Sequence, residues 1–367
     1  MKRIVMLCCL AGLIMPGCTD TLPVETGGSI VAESGAEGNN AAEKTLDELL
    51  SSGTVVEVPA GSVDALADAI ASAGSGGVVL LKSGLHHESG TVEINHTVTL
   101  VGETGATLIS DTTPEFTTGI MDPALLIYGA PDVVVRDFKI IPKGDVGGTA
   151  LWVEDSPNMV MSHMTILEHE RGVIIQHSDH VSIRHNKIVS STRWQTGDLG
   201  FTEGVLVVNG NFAIIEHNDV SDALVGIFVS DRKGLIANNN THGNLIGIVL
   251  CNHPVTLATP GGDLVGSEVN ATLWMVRDNY SHDNLDTGYL VVDGANKNYL
   301  VNNRGGNNAK YDIELAGDSN RFGFFTPTSR ETIVNTQKYN DMVVKDCGVD
   351  DKITGGQLVD LSIDPCY

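Results

Sequence analysis

Three histidines are spaced so that a repeating chain would bring them to one edge. His163, His185 and His217 occupy the same place in a recurring phrase, with Asp137 in that place one copy earlier and Asn239 one copy later. Stacked copies would set these side chains roughly 4.8 Å apart. Two imidazoles at that spacing can converge on a transition metal, with Asp137 as a further ligand or an orienting carboxylate. The competing reading is a solvated turn at which His, Asn and Asp are all acceptable.

A second set is basic. Arg136, Arg184 and Arg277 share the place just before the marker, Lys139 and Lys187 share another, and Arg171 and Arg193 lie nearby in sequence. The chain carries 22 Lys+Arg against 46 Asp+Glu, a formal charge of −24, so a local basic cluster would oppose the overall field. Such a cluster suits the carboxylates of an acidic polysaccharide, unless each base is simply paired with a surface acid. Arg193 and Trp194 belong to a 189–203 segment that also holds Asp198, Phe201 and Glu203. Aromatic faces beside polar groups suit sugar rings. Asp198 and Glu203 form a carboxylate pair by location only, and such pairs serve glycoside hydrolysis when correctly separated.

These residues are positioned by a repeat. Gly172 to Ile188 is its cleanest copy, followed by Gly204 to Val220 and Gly226 to Asn240; Ala124, Ala150, Gly247 and Gly288 open others. The markers Asp137, His163, His185, His217, Asn239 and Asp278 fit a 22-residue unit with insertions, the signature of a solenoid. Each copy holds two Val- and Ile-rich runs with period-two alternation, so the unit is β, and 22 residues could make three short strands and three turns. Asn186, Asn218, Asn240 and Asn279 fall at one phase, where side-chain amides can hydrogen-bond up the stack. Of 25 Asn, 22 lie after residue 150. Leu126, Tyr128, Trp152, Ile174, Leu206, Phe228 and Val249 form an outward apolar stripe, which must be covered by loops such as 189–203 and 253–272 or by another molecule.

Met1 to residue 17 reads as an export signal: Lys2 and Arg3, a short apolar run, then Pro16-Gly17-Cys18. This resembles a bacterial lipobox, in which Cys18 would be lipidated; an ordinary signal peptide is the alternative. Residues 18–44, poor in large apolar side chains, read as a tether, and 45–367 as one domain. In an oxidising compartment Cys347 and Cys366 could bridge and clamp the C-terminus. The acid excess excludes nucleic acid as a partner. The expected location is the cell envelope, lipid-anchored outside the cytoplasm or secreted, with the lipid as the only membrane contact and a monomer as the assembly.

From about 54 to 350 the sequence resembles the right-handed parallel β-helix proteins of the pectate-lyase superfamily. The resemblance implies an all-β right-handed parallel β-helix, a solenoid whose first coil is plugged by an N-terminal capping helix at Val63–Ala71. It also implies polysaccharide binding and lyase-type cleavage, in which an Arg or Lys removes a proton and Ca²⁺ or basic groups neutralise the uronate. No family residue carries over, and the chain's own basic cluster offers Arg184 and Lys187, with His185 as an alternative base, and Arg193, Trp194 and Arg136 to hold substrate. No lyase signature fixes these assignments. Two alternatives stand beside it: a non-catalytic surface or adhesion module, and metal handling through His163, His185, His217 and Asp137, similar to periplasmic copper-site maturation β-helix proteins.

Overall fold

A computed structural model describes residues 45–367 except 52, 115–121, 197–201, 252–256, 259–263, 266–270, 293, 316–328, 364–365 and 367. The export signal, Cys18 and the tether lie outside the described residues, as do Asp198, Phe201 and most of 253–272.

The chain winds into parallel coils that contribute to two sheets of 12 and 19 strands, beside one small antiparallel pair at 257–258 and 264–265. One coil reads as a long strand (Glu203–Asn211), a corner, a three-residue strand (Ile214–Glu216), an asparagine turn, and a short strand (Asp219–Ser221) that leads into the next long strand (Val225–Arg232). The three-residue strands stack into the 12-stranded sheet. Register keeps inward residues in columns, such as Val173–Val205–Ile227–Ile248–Tyr289 and Ile183–Ile215–Ile236–Val276–Leu300. These columns make one continuous aliphatic core. Small β-branched layers fill a narrow interior well, which accounts for the low aromatic content.

Corners are made by left-handed backbone at non-glycine residues. Among the described residues 24 have positive φ, and 18 of them are Asp, Asn or His, the types that tolerate this conformation best.

Asparagine amides stack through the turn before the short strands. Asn186 Nδ2 donates to Asn218 Oδ1 (2.9 Å), Asn218 to Asn239 (2.9 Å), Asn239 to Asn279 (3.0 Å) and Asn279 to Asn303 (2.9 Å). Each Oδ1 also accepts a backbone N–H from the coil below, as Asn218 does from Asn186 (3.1 Å). The sequence alignment needs one correction here: Asn239, not Asn240, is the ladder member, and Asn238 (φ 54°) is the marker. The cause is a one-residue shortening. Val208 pairs with Ser230 but Asn211 pairs with Arg232, so the later coil lacks one corner residue and everything after it shifts phase. A second, unforeseen ladder begins one corner later, from Asn244 to Asn284 (3.3 Å) to Asn308 (2.8 Å).

The capping helix is Leu66–Ala73, three residues later than expected, with Leu66, Ala69, Ile70 and Ala73 buried on the first coil. Glu88 accepts its first N–H groups, from Ala65 (3.2 Å) and Leu66 (3.0 Å), as a first-turn carboxylate should. An additional helix, Leu46–Leu50, opens with a capping box between Thr45 and Glu48 and lays Leu46 and Leu50 on Val78, Leu80 and Val101. At the other end Cys347 and Cys366 are bonded.

Candidate functional site

The predicted histidine column exists as a stack. The rings of His163 and His185 are 5.2 Å apart and 12° from parallel; those of His185 and His217 are 4.8 Å and 7°. Lone pairs lie in the ring plane, so parallel rings stacked face to face aim their nitrogens past one another rather than at a shared ion. This arrangement does not fit a metal centre of His163, His185, His217 and Asp137. Among the described residues no group of three or more His, Cys, Asp or Glu is placed to hold a metal ion. All three histidines, with Asp137 and Asp278, have φ between 54° and 65°. The column follows from turn geometry. Burial, then the charges of His217 and His163, hold the His185 imidazole below its ordinary pKa.

The predicted basic cluster is divided. Arg136 Nε sits 2.5 Å from Asp137, Arg277 Nη1 2.9 Å from Asp278, and Arg184 Nε 3.1 Å from Glu216, although the Arg184 N–H is not aimed at that carboxylate. Lys187 stands around the corner on the short strand Lys187–Ser190, exposed between Thr165 and Asp219 in register. Arg184, His185 and Lys187 therefore occupy three positions around one turn and do not converge. Arg171 and Glu203 are buried together as an ion pair (2.8 Å), so Glu203 is not free to partner Asp198. Trp194 lies in a 3₁₀ turn, Thr192–Thr196, half-buried, and its indole donates to the Asp222 carbonyl (2.8 Å). The Arg193 side chain lies outside the described residues.

A different set converges on the outward face of the short strands. Asp283 accepts from His282 Nδ1 (2.5 Å), and His282 Nε2 donates to Asn240 Oδ1 (3.0 Å). Asn240 Nδ2 donates to Asp219 Oδ1 (2.8 Å), which also accepts from His242 Nε2 (3.2 Å). The chain Asp283–His282–Asn240–Asp219–His242 thus crosses three coils. Tyr280 stacks on His282 (4.1 Å) and Arg304 covers Tyr280 (4.5 Å). All are half-buried or exposed. Hydrogen bonds from His282 hold the Asp283 carboxyl below its usual range. The sequence did carry a signal: Asn240-Thr-His242 and Tyr280-Ser-His282 are one phrase, placed after the asparagine turn rather than before it.

The family model described as "Right handed beta helix region" matches residues 76–253. Together with the parallel sheets, this match gives the chain the right-handed β-helix fold. Among solved structures it is similar to the DFA-IIIase from Arthrobacter chlorophenolicus A6 (12% identity, TM-score 0.55, 83% of this chain and 86% of that one). It is also similar to the tailspike protein of E. coli bacteriophage HK620 in complex with a pentasaccharide (10%, 0.55, 81% and 60%) and to ORF18 of Geobacillus virus E2 (15%, 0.50, 83% and 62%). The chain spans less than two thirds of those two viral proteins. These likenesses establish the fold. No curated protein matches the sequence.

Within this β-helix the insertions are not scattered. In chain order, segments 111–122 and 191–202 precede long strands and 252–270 and 316–328 follow them, and the long strands share one outward face. That face carries the predicted stripe. Trp152, Ile174, Leu206, Phe228 and Val249 are all buried, with Leu290 added and Leu126 half-buried; Tyr128, half exposed, is not part of it. The short-strand face is the open one. At its border the strand Thr165–Gln176 bulges between Leu167 and His169, turning Glu168 outward in a left-handed conformation (φ 55°). Burial, and then the Asp222 charge, raise the Glu168 carboxyl above its ordinary value.

Proposed function

We propose that this protein binds a polysaccharide laid along the open short-strand face, across Asp219, Asn240, His242, Tyr280, His282 and Arg304. The observation that carries the reading is the polar chain over three coils, edged by Tyr280 and Trp194. Donors and acceptors repeating once per coil match the hydroxyls of a repeating polymer, and the stacked Tyr280 and the Trp194 indole supply the flat, amphipathic surface that sugar rings favour. Glycan-array screening followed by titration tests it: the double change His242→Ala, His282→Ala should weaken binding roughly tenfold or more. Equal affinity, or no binding across the array, ends the proposal. Lipidation at Cys18 and residence in the cell envelope are part of the same proposal; incorporation of labelled palmitate, lost in Cys18→Ala, is its test.

A second reading adds hydrolysis. Glu168 and Asp222 stand two coils apart, about 9.6 Å along the stack, near the roughly 6.5–9.5 Å carboxyl spacing of inverting glycosidases. Glu168, its carboxyl raised, would protonate the leaving oxygen while Asp222 takes a proton from the attacking water; the C1–O bond breaks and one reducing end appears. Glu168→Gln should abolish new reducing ends from any polysaccharide that binds, with affinity kept.

A further inference from the structure

The corner after the long strands is built on a repeated hydroxyl. Ser156 Oγ accepts the N–H of Ala130 from the coil below (3.0 Å) and donates to the carbonyl of Glu154, two residues back (2.7 Å). Ser178 does the same with the N–H of Ser156 (2.9 Å) and the carbonyl of Gln176 (2.8 Å). The pattern needs a group that donates and accepts at once, which a hydroxyl is. Gly210 occupies the place one coil up; the next corner is one residue shorter, and there the Asp231 carboxyl reaches back to Gly210.

Asp231 keeps half of the pattern. Its carboxyl accepts the N–H of Gly210, and Oδ1 also accepts from the Arg232 N–H (2.5 Å). Oδ2 has no partner, and the residue has no exposed surface. The Trp274 indole donates to the Asp231 backbone carbonyl (2.7 Å) and closes the site from the coil above. The Val229 carbonyl, two residues back, points to the coil above, where it accepts the Cys251 N–H (3.1 Å), whereas the Asp231 carboxyl faces the coil below. An ionised carboxylate here leaves a buried, charged oxygen unpaired, a costly state.

We propose that Asp231 is held as a neutral carboxylic acid in this shortened corner, where its Oδ2 has no other partner, and that its ionisation is a pH latch on the coil that carries Phe228 of the covered face. The electrostatics agree. Burial pushes the Asp231 carboxyl up to about 7; the Arg232 and Gly210 N–H groups and the Arg232 charge oppose this, and Asp179, two coils below, adds to it. Asp179 and Arg232 are the charged groups acting on it from the packed elements; Gly210 and Trp274 are neutral. A carboxyl raised on folding gives stability that is complete below about pH 4 and is lost as pH rises through about 7.

Thermal unfolding of the full chain from pH 4.5 to 8.5 tests this with Asp231→Asn and Asp231→Ser, both of which put a neutral polar group at this corner. Wild type should lose Tm relative to both variants as pH rises, the gap widening by about 3 °C or more. Infrared difference spectra at pH 6 should show a protonated carboxyl in wild type that Asp231→Asn lacks. A gap that does not change with pH, or no protonated carboxyl at pH 6, overturns the proposal. If the serine variant does not fold, the asparagine variant and the infrared band decide alone.

Discussion

The outward faces of the long and the short strands are made by the same coils, at the same spacing, and have opposite fates. On the long strands the outward column is Trp152, Ile174, Leu206, Phe228, Val249 and Leu290, all buried. On the short strands the outward columns pass from Leu167 and Val189 to Ser221, His242 and His282, and from Thr165 and Lys187 to Asp219, Asn240, Tyr280 and Arg304. Backbone geometry is shared, so side-chain chemistry and loop length decide which face meets water. The apolar face, once covered, behaves as a second core. The polar face remains available for recognition, and that is why the site is placed there.

The sharpest way to break this contrast is to treat the covered column as surface. Phe228→Ala should destabilise by about 3–5 kcal/mol, as a core truncation does, whereas Tyr280→Ala should change stability by less than about 1 kcal/mol. Urea unfolding of the two variants compares them directly, and similar losses would erase the distinction. Next in size is the buried ion pair on the same face. Glu203→Ala leaves the Arg171 guanidinium buried without this partner and should cost roughly 3 kcal/mol in the same assay, with much of the loss recovered in Arg171→Met, Glu203→Leu. His169, also under this side, is fully buried, with Nε2 3.1 Å from Ser110 Oγ and Nδ1 2.8 Å from the Leu167 carbonyl. Burial lowers its imidazole to about 4. The unfolded chain binds that proton more readily, so stability should decline as pH falls from about 6.5 toward 4, a decline that His169→Gln removes. Smallest of all is the exposed turn column: His185→Asn suits a left-handed turn, and its stability and metal content should match wild type within error. A change in bound metal there would restore the discarded chelation reading.

How far the sequence could be read follows the same division. Periodicity in Val and Ile made the coil, the core and the apolar stripe legible, because burial acts on whole columns at once. Turn positions were visible but misleading: His163, His185 and His217 recur because left-handed corners accept histidine, and recurrence alone does not separate that from ligation. Asn240 was taken for Asn239 because a single corner residue is missing before it, a change local periodicity cannot register inside a run of three asparagines. Lys187 and Arg184, three apart, looked like neighbours, but an inward asparagine between them turns the chain. The convergence of His242, His282 and Asp219 depends on strand register across coils separated by up to 40 residues, which only the assembled stack defines.

The short helix Leu46–Leu50 fixes more than a few apolar side chains. By seating the chain on the outer surface of Val78, Leu80 and Val101, it sets the end of the stack at which the preceding segment arrives. From the strand Gly77–Leu81 to the strand Met275–Arg277 the 12-stranded sheet climbs seven steps, about 34 Å at roughly 4.8 Å per strand. Were Cys18 lipidated as proposed, the anchor would join the chain at the opposite end of the stack from the Tyr280–Arg304 patch, leaving the length of the stack between lipid and ligand.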